Sequence, residues 1–336
     1  MDEEIEEAPA VVARQEMELA RPLGHLLPYL HRLKPNVVLT CARGSSAHAA
    51  TFAKHLIERY VGLPVAEAAP SISSLYRRRL NLRNQLLLAI SQSGRSDDLI
   101  AFATDARSAG ALTVAITNVP ASPLAAVCEV VLPLAAGPER SVVATKTFLA
   151  TAALLMRLVG AWTQHPDLLW AVGRLPDRLA LASRLDWGRA IRALSGATHL
   201  VTLGRGPTLA IAREAALKLK ETSGVHAEAY SGAEFLHGPV ALIRPDYPVL
   251  VFTPADEAAP AMRQLCRDLH AKGANLLVAD GLPTGGIALP VLPGEQPDAD
   301  ALCLAQSHYV MAAGLAARLG VDVDNPPHLL KITRTT

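Results

Sequence analysis

The sequence predicts an α/β protein made of two doubly wound parallel sheets, each a three-layer αβα sandwich, arranged in tandem along the chain. Three observations predict this fold. The second half of the chain repeats patterns of the first, short apolar runs recur without polar alternation, and a turn and a helical pattern follow each run. Strands that are buried on both faces have continuous apolar sequences, and parallel neighbours need helical crossovers between them.

The repeat is visible in three pairs of segments. Residues 39–46 (LTCARGSS) match 201–208 (VTLGRGPT), and at the same spacing 85–90 match 247–252. With one residue inserted, 111–117 then match 274–280. Any two α/β domains share a strand, turn and helix rhythm, but three matches at nearly one spacing favour a true duplication.

The predicted elements follow in order along the chain. A helical arm is expected first, then two sandwiches separated by a helical region that prolines interrupt at His165-Pro166 and Leu175-Pro176-Asp177, and last an irregular tail after Pro326-Pro327. The expected boundaries are 1–24 for the arm, 25–165 for the first sandwich, 185–325 for the second and 326–336 for the tail.

Composition excludes several classes of function. The 32 Lys and Arg residues balance 31 Asp and Glu residues to a net charge of +1, so bulk binding of nucleic acid or of an anionic membrane is not expected. No apolar stretch approaches the roughly 20 residues of a membrane-spanning helix. The acidic N-terminus differs from a secretory signal, and the four scattered cysteines contain no CxxC pair. We expect a soluble cytoplasmic protein that needs no metal or other cofactor.

A phosphate site is predicted in the first sandwich. Ser91-Gln-Ser-Gly-Arg-Ser96 follows an apolar run and precedes a helical pattern, and Gly44-Ser45-Ser46 stands in the corresponding place after another run. Hydroxyls, an amide and a glycine before a helix N-terminus favour an anion, although one serine there is an ordinary helix cap. The second copy has Thr253-Pro-Ala-Asp-Glu257 instead, whose proline and carboxylates disfavour phosphate. Only the first copy is therefore expected to bind it.

The second copy carries the candidate proton-transfer residues. Glu214, Lys218 and Glu221 are four and three residues apart, which places them on one face of a helix. Such a face is most often a solvated set of ion pairs, but His226 and His237 follow closely, and His237 precedes Gly238-Pro239. A carboxylate can act as a general base, and a histidine titrates near neutral pH, so both residue types suit acid–base catalysis. For His226 a structural role is the favoured interpretation.

In its motifs the chain resembles the sugar isomerase (SIS) domain family, and more specifically the tandem isomerase half of glucosamine-6-phosphate synthase. The resemblance covers nearly the whole chain. Its motifs are Ser91–Gly94, Glu139, Thr145–Phe148, Leu203–Gly206, Glu214, Lys218–Glu221, His226–Tyr230, His237–Pro239 and Val323–Lys331. The synthase begins with a glutaminase domain that has a cysteine nucleophile, whereas the second residue here is Asp2. The chain is therefore similar to the SIS-type glucosamine-6-phosphate deaminases.

The resemblance implies a role for each matching residue. The implied ligands of the sugar phosphate are Ser45, Ser46, Ser91, Gln92, Ser93 and Ser96, with Gly44 and Val142 as further substrate contacts. Glu221 would move the proton between C1 and C2, and Glu214 and Lys218 would complete the polar site. His237 would assist ring opening from the neighbouring subunit of a homodimer. Lys331 would form a Schiff base with the open-chain ketose, because a lysine can lose its proton and attack a carbonyl.

Two departures from the family leave the substrate preference open. Arg43 stands where the family commonly has a small residue or cysteine, and Ala144 stands where the synthase has a serine. The first hypothesis is an isomerising deaminase that converts glucosamine 6-phosphate and water to fructose 6-phosphate and ammonia. The alternatives are a fructosamine-6-phosphate deglycase, an isomerase like that of glutamine-fructose-6-phosphate aminotransferase, or another phosphosugar isomerase.

A sugar-phosphate sensor without turnover is the alternative from a different class. SIS sensors usually carry a DNA-binding module, for which residues 1–24 are too short. The presence of Glu221, His237 and Lys331 together also favours an enzyme, whose substrate would be a phosphorylated amino sugar or a ketose phosphate.

Overall fold

The computed structural model describes residues 1–331, so the last five residues of the predicted tail lie outside the described residues. The chain divides into two lobes. The first lobe comprises Ala10–Glu139, Lys146–Gly173 and residues 330–331, and the second comprises Met1–Pro9, Arg140–Thr145 and Arg174–Leu329. Because both lobes are discontinuous in sequence, the linear domain boundaries given above stay a prediction.

The first helix is longer than the arm expected from the sequence. Helix α1 (Asp2–Leu33) continues beyond residue 24. Its buried positions include Ile5, Ala8, Val12 and Leu19, at the three- and four-residue spacing of one helix face. The buried stripe of an amphipathic helix stabilises it through packing more than through propensity.

The first lobe is built on five strands with helices between them. Its strands are β1 (Val38–Ala42), β2 (Val65–Glu67), β3 (Leu86–Ile90), β4 (Leu112–Thr117) and β5 (Val130–Pro133). Its other helices are α2 (Ser45–Leu56), which continues as a π-helical turn Ile57–Val61, then α3 (Ser71–Ser74), α4 (Asp97–Ser108), α5 (Pro123–Val127) and α6 (Lys146–Thr163). The core includes Leu87 and Ala89 of β3 packed with Leu99 and Phe102 of α4.

Helix α7 (Pro166–Ala182) corrects one expectation. Pro166 begins this helix, but Pro176 lies inside it and does not interrupt it. A proline inside a helix costs about 3 kcal/mol, because it removes one backbone hydrogen bond. The buried side chains of Leu175 and Leu179 flank it, and each contributes about 1.5–3 kcal/mol. The free energy gained by burying Leu175 and Leu179 therefore outweighs the cost of Pro176 inside the helix.

The second lobe repeats the architecture of the first. Its strands are β6 (His199–Gly204), β7 (His226–Ser231), β8 (Pro248–Phe252), β9 (Asn275–Ala279) and β10 (Ile287–Leu289). Its helices are α8 (Gly188–Leu194), α9 (Pro207–Ser223), α10 (Gly232–Phe235), a 3₁₀ turn Pro239–Leu242, α11 (Ala259–Ala271) and α12 (Pro297–Leu319). Val249 and Val251 of β8 pack with Met262 and Leu265 of α11 in its core.

The two sheets have the same winding. Within the described residues each sheet has five parallel strands, in the order β2-β1-β3-β4-β5 in the first lobe and β7-β6-β8-β9-β10 in the second. The three segment pairs matched in the sequence fall on β1 and β6, β3 and β8, and β4 and β9. The doubly wound α/β fold expected from the sequence is thereby confirmed in both lobes.

Across residues 1–331 no helix combines the length and the apolar character that spanning a membrane would require.

Candidate functional site

The serine-rich segments of the first lobe lie at the switch point of its sheet. Strands β1 and β3 are parallel neighbours in which Ala42 pairs with Ile90. Gly44–Ser46 and Ser91–Ser96 therefore leave the sheet side by side at its carboxyl edge. In doubly wound sheets the connections diverge at this point and open a crevice for ligands.

A tight turn shapes the Ser91–Ser96 loop. Ser91 is buried, and its Oγ accepts a hydrogen bond of 3.2 Å from the N–H of Gly94. Gly94 has a φ of 62°, and a Cβ there would lie 2.5 Å from the Cβ of Ser122. Only glycine fits this position, because the loop is pressed against the start of α5.

Strand β4 holds the same loop from its other side. The carbonyl of Gln92 accepts hydrogen bonds from the N–H of Asn118 at 3.1 Å and from the Oγ1 of Thr117 at 3.3 Å. The side chains of Gln92, Ser93 and Ser96 are half-buried, and Ser96 precedes α4 without a capping hydrogen bond from its hydroxyl. The loop thus presents polar side chains on a fixed backbone at a helix N-terminus, which suits an anion.

Sequence reasoning missed an ion pair beside this loop. Arg43 follows β1, and its Nε and Nη2 lie 3.1 and 2.8 Å from Oδ2 of Asp98 in the first turn of α4. The Asp98 side chain is 1% exposed, and its Oδ1 accepts a hydrogen bond from the N–H of Leu99. A buried carboxylate beside the predicted phosphate loop would repel phosphate, and Arg43 neutralises its charge. The sequence signal was Arg43 itself, which stood out as a departure from the family.

Helix α9 brings three of the candidate residues of the second lobe together. Lys218 is fully buried, with its Nζ 2.5 Å from Oε2 of Glu221 and 3.4 Å from Oε1 of Glu214. The spacing of four and three residues had placed them on one helix face, and the contacts confirm that arrangement.

The two carboxylates of this cluster have different surroundings. Glu214 is 1% exposed and accepts a hydrogen bond of 3.1 Å from the Oη of Tyr309, a fully buried residue of α12. The Glu221 side chain is 20% exposed. Glu221 is thus the accessible carboxylate, held in orientation by the Lys218 ammonium, while Glu214 anchors that ammonium from behind.

His237 lies apart from this cluster. It follows α10 in a turn in which its N–H donates to the carbonyl of Glu234, and its side chain is exposed. Gly238 next to it has a φ of 133°, which only glycine adopts readily. Within residues 1–331 no hydrogen bond or ion pair joins His237 to Glu221. Its predicted role stays a prediction.

Lys331, the last described residue, contacts a carboxylate in the first lobe. Its Nζ lies 3.2 Å from Oε2 of Glu139, whose side chain is fully buried. The same carboxylate accepts hydrogen bonds from the Oγ1 of Thr147 at 2.8 Å and from the N–H of Thr147 at 3.2 Å. Glu139 belongs to one of the motifs that resemble the family, but the sequence alone assigned it no role.

Val142 lies in the segment Arg140–Thr145, which belongs to the second lobe. This segment is fixed by Glu4, whose Oε1 accepts from the N–H of Arg140 at 2.9 Å and of Ser141 at 3.2 Å. Val142 itself is half-buried. Within residues 1–331 no group of three or more His, Cys, Asp or Glu side chains is arranged to hold a metal ion.

Two lobes that each contain a doubly wound parallel sheet, repeated in tandem along the chain, define the class of protein as a tandem α/β protein. The SIS domain model matches residues 33–161 and 193–288, and the chain belongs to this family.

Proteins with similar sequences and structures support the assignment of the chain to the SIS family. The chain is 33% identical to a glutamine–fructose-6-phosphate aminotransferase (isomerizing) from Zymomonas mobilis, over 98% of the chain and 58% of the relative. It therefore spans little more than half the length of that relative. A crystal structure from Silicibacter pomeroyi, provisionally assigned as a phosphosugar isomerase, is 41% identical with a TM-score of 0.92, covering 96% of this chain and 98% of that one.

A third comparison concerns a single domain. The C-terminal domain of glucosamine-fructose-6-phosphate aminotransferase from Francisella tularensis is 25% identical with a TM-score of 0.80, covering 96% of each chain. The chain is thus homologous to the SIS half of these aminotransferases.

Proposed function

We propose that the protein is an isomerising deaminase of a phosphorylated amino sugar, which converts glucosamine 6-phosphate and water to fructose 6-phosphate and ammonia. The observation that carries the proposal is the Lys218–Glu221 pair on α9, which orients one partly accessible carboxylate in otherwise buried surroundings. Isomerisation of an aldose to a ketose needs a carboxylate of this kind to move a proton between adjacent carbons.

The proposed chemistry begins from the open-chain sugar. Glu221 removes the proton from C2, the electron pair forms a C1=C2 double bond, and the aldehyde oxygen on C1 takes up a proton, which gives an enolamine. The protonated Glu221 then returns its proton to C1, while the amine nitrogen on C2 releases one proton. The product is an imine at C2. Water adds to this imine, the C–N bond breaks, and fructose 6-phosphate and ammonia leave. Glu214 takes no proton in this scheme; it holds Lys218, and Lys218 holds Glu221.

Ring opening and imine chemistry are assigned to two further residues. His237 would donate a proton to the ring oxygen, and its exposure in the single chain supports the proposal that it serves a neighbouring subunit of a homodimer. In the reverse direction Lys331, once its amine has lost its proton, would condense with the open-chain ketose to a Schiff base and release water. The contact with Glu139 supports a fixed position for the Lys331 amine before substrate binds.

The phosphate is assigned to the serine-rich edge of the first lobe. We expect Ser45, Ser46, Gln92, Ser93 and Ser96 to contact it, with Ser91 also shaping the turn that presents them. Gly44 and Val142 are proposed as neighbouring substrate contacts. Ser93→Ala should raise KM with little change in kcat, because a phosphate contact is made equally in ground and transition states. Ser108→Ala, which removes an exposed hydroxyl bonded within α4, is the control.

The direct test is release of ammonia from glucosamine 6-phosphate by the purified protein, coupled to detection of fructose 6-phosphate. The rival substrate, a fructosamine 6-phosphate, is assayed in parallel. Turnover of the first compound supports the deaminase. Cleavage of the fructosamine phosphate alone would assign the protein as a deglycase, and turnover of neither, with tight sugar-phosphate binding, would favour a sensor.

A further inference from the structure

One carboxylate oxygen in the second lobe faces two donors. Oε1 of Glu214 accepts a hydrogen bond of 3.1 Å from the Oη of Tyr309 and lies 3.4 Å from the Nζ of Lys218. The second distance is longer than that of an ordinary N–H···O hydrogen bond, about 2.7–3.2 Å. The same Nζ lies only 2.5 Å from Oε2 of Glu221. The hydroxyl of Tyr309 thus occupies the oxygen that would otherwise attract Lys218, and the ammonium is hydrogen-bonded to Glu221 instead.

Burial makes this competition strong. Tyr309 and Lys218 are fully buried, and Glu214 is 1% exposed. Charges and hydrogen bonds interact more strongly in such surroundings than in water, because the effective dielectric constant is lower. Bulk water is also too far away to replace the tyrosine hydroxyl. The position of the Lys218 ammonium between its two carboxylates therefore depends on Tyr309.

His308, the neighbour of Tyr309 on α12, adds no charge to this cluster. It is 1% exposed, and its ring meets that of Phe252 edge to face, with the centroids 5.8 Å apart. Burial lowers the pKa of His308 to about 4, so its imidazole is neutral at pH 7. At this point α12 therefore acts on Glu214 through the hydrogen bond from Tyr309, and His308 is not a second cation that competes with Lys218.

We propose that Tyr309 is a positioning residue for Glu221 and acts through Glu214 and Lys218. By donating to Glu214, its hydroxyl directs the ammonium toward Glu221 and fixes the orientation of that carboxylate. Without the hydroxyl, the ammonium moves toward Glu214 and the hydrogen bond to Glu221 weakens. The effect on the rate rests on the proposed function, in which Glu221 moves the proton, whereas the position of the ammonium does not.

Tyr309→Phe removes the hydroxyl and keeps the ring. For glucosamine 6-phosphate, or for the fructosamine phosphate if the parent turns over only that compound, kcat should fall about 10- to 100-fold, as expected for a displaced catalytic group. KM should change little, because the phosphate is assigned to the first lobe. Tyr247→Phe is the matched control, since Tyr247 is a buried tyrosine of the same lobe that packs in the core covered by α11. Its kcat should equal that of the parent.

Crystal structures of the substrate-free parent and of Tyr309→Phe test the geometry without any assumption about the reaction. We expect the Nζ of Lys218 to move to hydrogen-bond distance from Glu214 and away from Glu221. If the parent turns over neither compound, the proposed function fails, and these two structures still decide the role of Tyr309. An unmoved Nζ in Tyr309→Phe, or an unchanged kcat in an active enzyme, would overturn the proposal.

A double variant separates positioning from a loss of folding. Adding Glu214→Gln to Tyr309→Phe replaces the competing carboxylate by a neutral amide, which attracts an ammonium less strongly. The Nζ of Lys218 should then return to Glu221, and an active enzyme should recover most of the lost kcat. Melting curves show that each variant is folded. A folded double variant that recovers neither the position of Nζ nor kcat would contradict the role of Tyr309.

Discussion

Lys218 donates a hydrogen bond from its fully buried Nζ to Oε2 of Glu221 at 2.5 Å. The same ammonium lies 3.4 Å from Glu214, so one buried cation stands between two carboxylates. Of the three side chains only Glu221 is substantially exposed, at 20%. The arrangement gives one helix an oriented carboxylate that a ligand can reach.

Replacing Glu221 by glutamine should abolish turnover while preserving substrate binding. Glutamine keeps the shape and can still contact Lys218, but it cannot take a proton from carbon. A general base contributes on the order of 100- to 10,000-fold to a rate, so kcat should fall by that factor. Sugar-phosphate affinity should stay within about tenfold. Glu18→Gln, on the exposed face of α1, should change neither quantity. Parallel losses of affinity and rate in Glu221→Gln would instead assign Glu221 to structure.

Lys218→Met should destabilise the second lobe strongly. It leaves Glu214 and Glu221 facing each other without their cation, and breaking a buried ion pair from one side costs about 3–5 kcal/mol. Urea unfolding measures the loss. Lys220→Met on the same helix is the control, because Lys220 is exposed and its removal should cost less than about 0.5 kcal/mol. Equal free energies of unfolding in Lys218→Met and Lys220→Met would show that the buried Lys218 ammonium does not stabilise the second lobe.

Most of the fold could be predicted because its signals are local and repeated. Continuous apolar runs such as Leu86–Ile90 specify strands buried on both faces, and the matched run Pro248–Phe252 recurs in the second copy. The winding of both sheets followed from that pattern. The uninterrupted passage of α7 through Pro176 was not predictable, since the burial of Leu175 and Leu179 that offsets the proline depends on tertiary packing.

The candidate site was predictable where it depends on spacing and not where it depends on distant contacts. The i, i+4 and i, i+7 spacing of α9 was enough to group Glu214, Lys218 and Glu221. Tyr309 is 95 residues away from Glu214 along the chain, and no local pattern indicates their hydrogen bond. The contact between Glu139 and Lys331 spans 192 residues and was missed for the same reason.

Arg43→Ala should weaken phosphate binding through Asp98. The change leaves the buried Asp98 carboxylate without its partner beside the loop that is proposed to hold the phosphate. We expect a loss of about tenfold in affinity for sugar phosphate, equivalent to about 1.4 kcal/mol. Adding Asp98→Asn should restore much of the affinity, because the repulsion disappears with the charge. Arg83→Ala, at an exposed arginine outside this loop, is the control. If adding Asp98→Asn to Arg43→Ala does not restore affinity for sugar phosphate, Arg43 contacts the ligand directly.

Gly94→Ala tests the shape of the serine-rich loop. Both Gly94 and Gly137 have positive φ, 62° and 66°, but only at Gly94 would a Cβ collide with a neighbour, Ser122. Alanine at either position costs about 1–2 kcal/mol of backbone strain, and the collision adds about 1–3 kcal/mol at Gly94. Thermal unfolding should therefore show the larger loss in Gly94→Ala, together with loss of phosphate binding. Similar losses of stability in Gly94→Ala and Gly137→Ala would mean that the serine-rich loop shifts to accommodate the added methyl group.

Glu4 should make the second lobe sensitive to acid. Burial acts to raise its pKa, but hydrogen bonds from the Met1 amine and from the N–H groups of Arg140 and Ser141 outweigh burial and lower the pKa to about 2. The ordinary value is 4.5, so the carboxylate is more acidic in the folded chain than in the unfolded chain. Its contribution, about 3 kcal/mol, is complete above pH 4.5 and is lost as the pH falls toward 2.

Glu4→Gln should therefore lower the free energy of unfolding by up to about 3 kcal/mol at pH 7, and the difference from the parent should shrink steadily below pH 4.5. Urea unfolding between pH 2.5 and 7 measures this difference. Glu3→Gln, at an exposed neighbouring position, should show no such dependence. A difference between Glu4→Gln and the parent that is the same at pH 3 and pH 7 would contradict the assignment, because it would mean that the charge on Glu4 does not hold the Arg140–Thr145 segment.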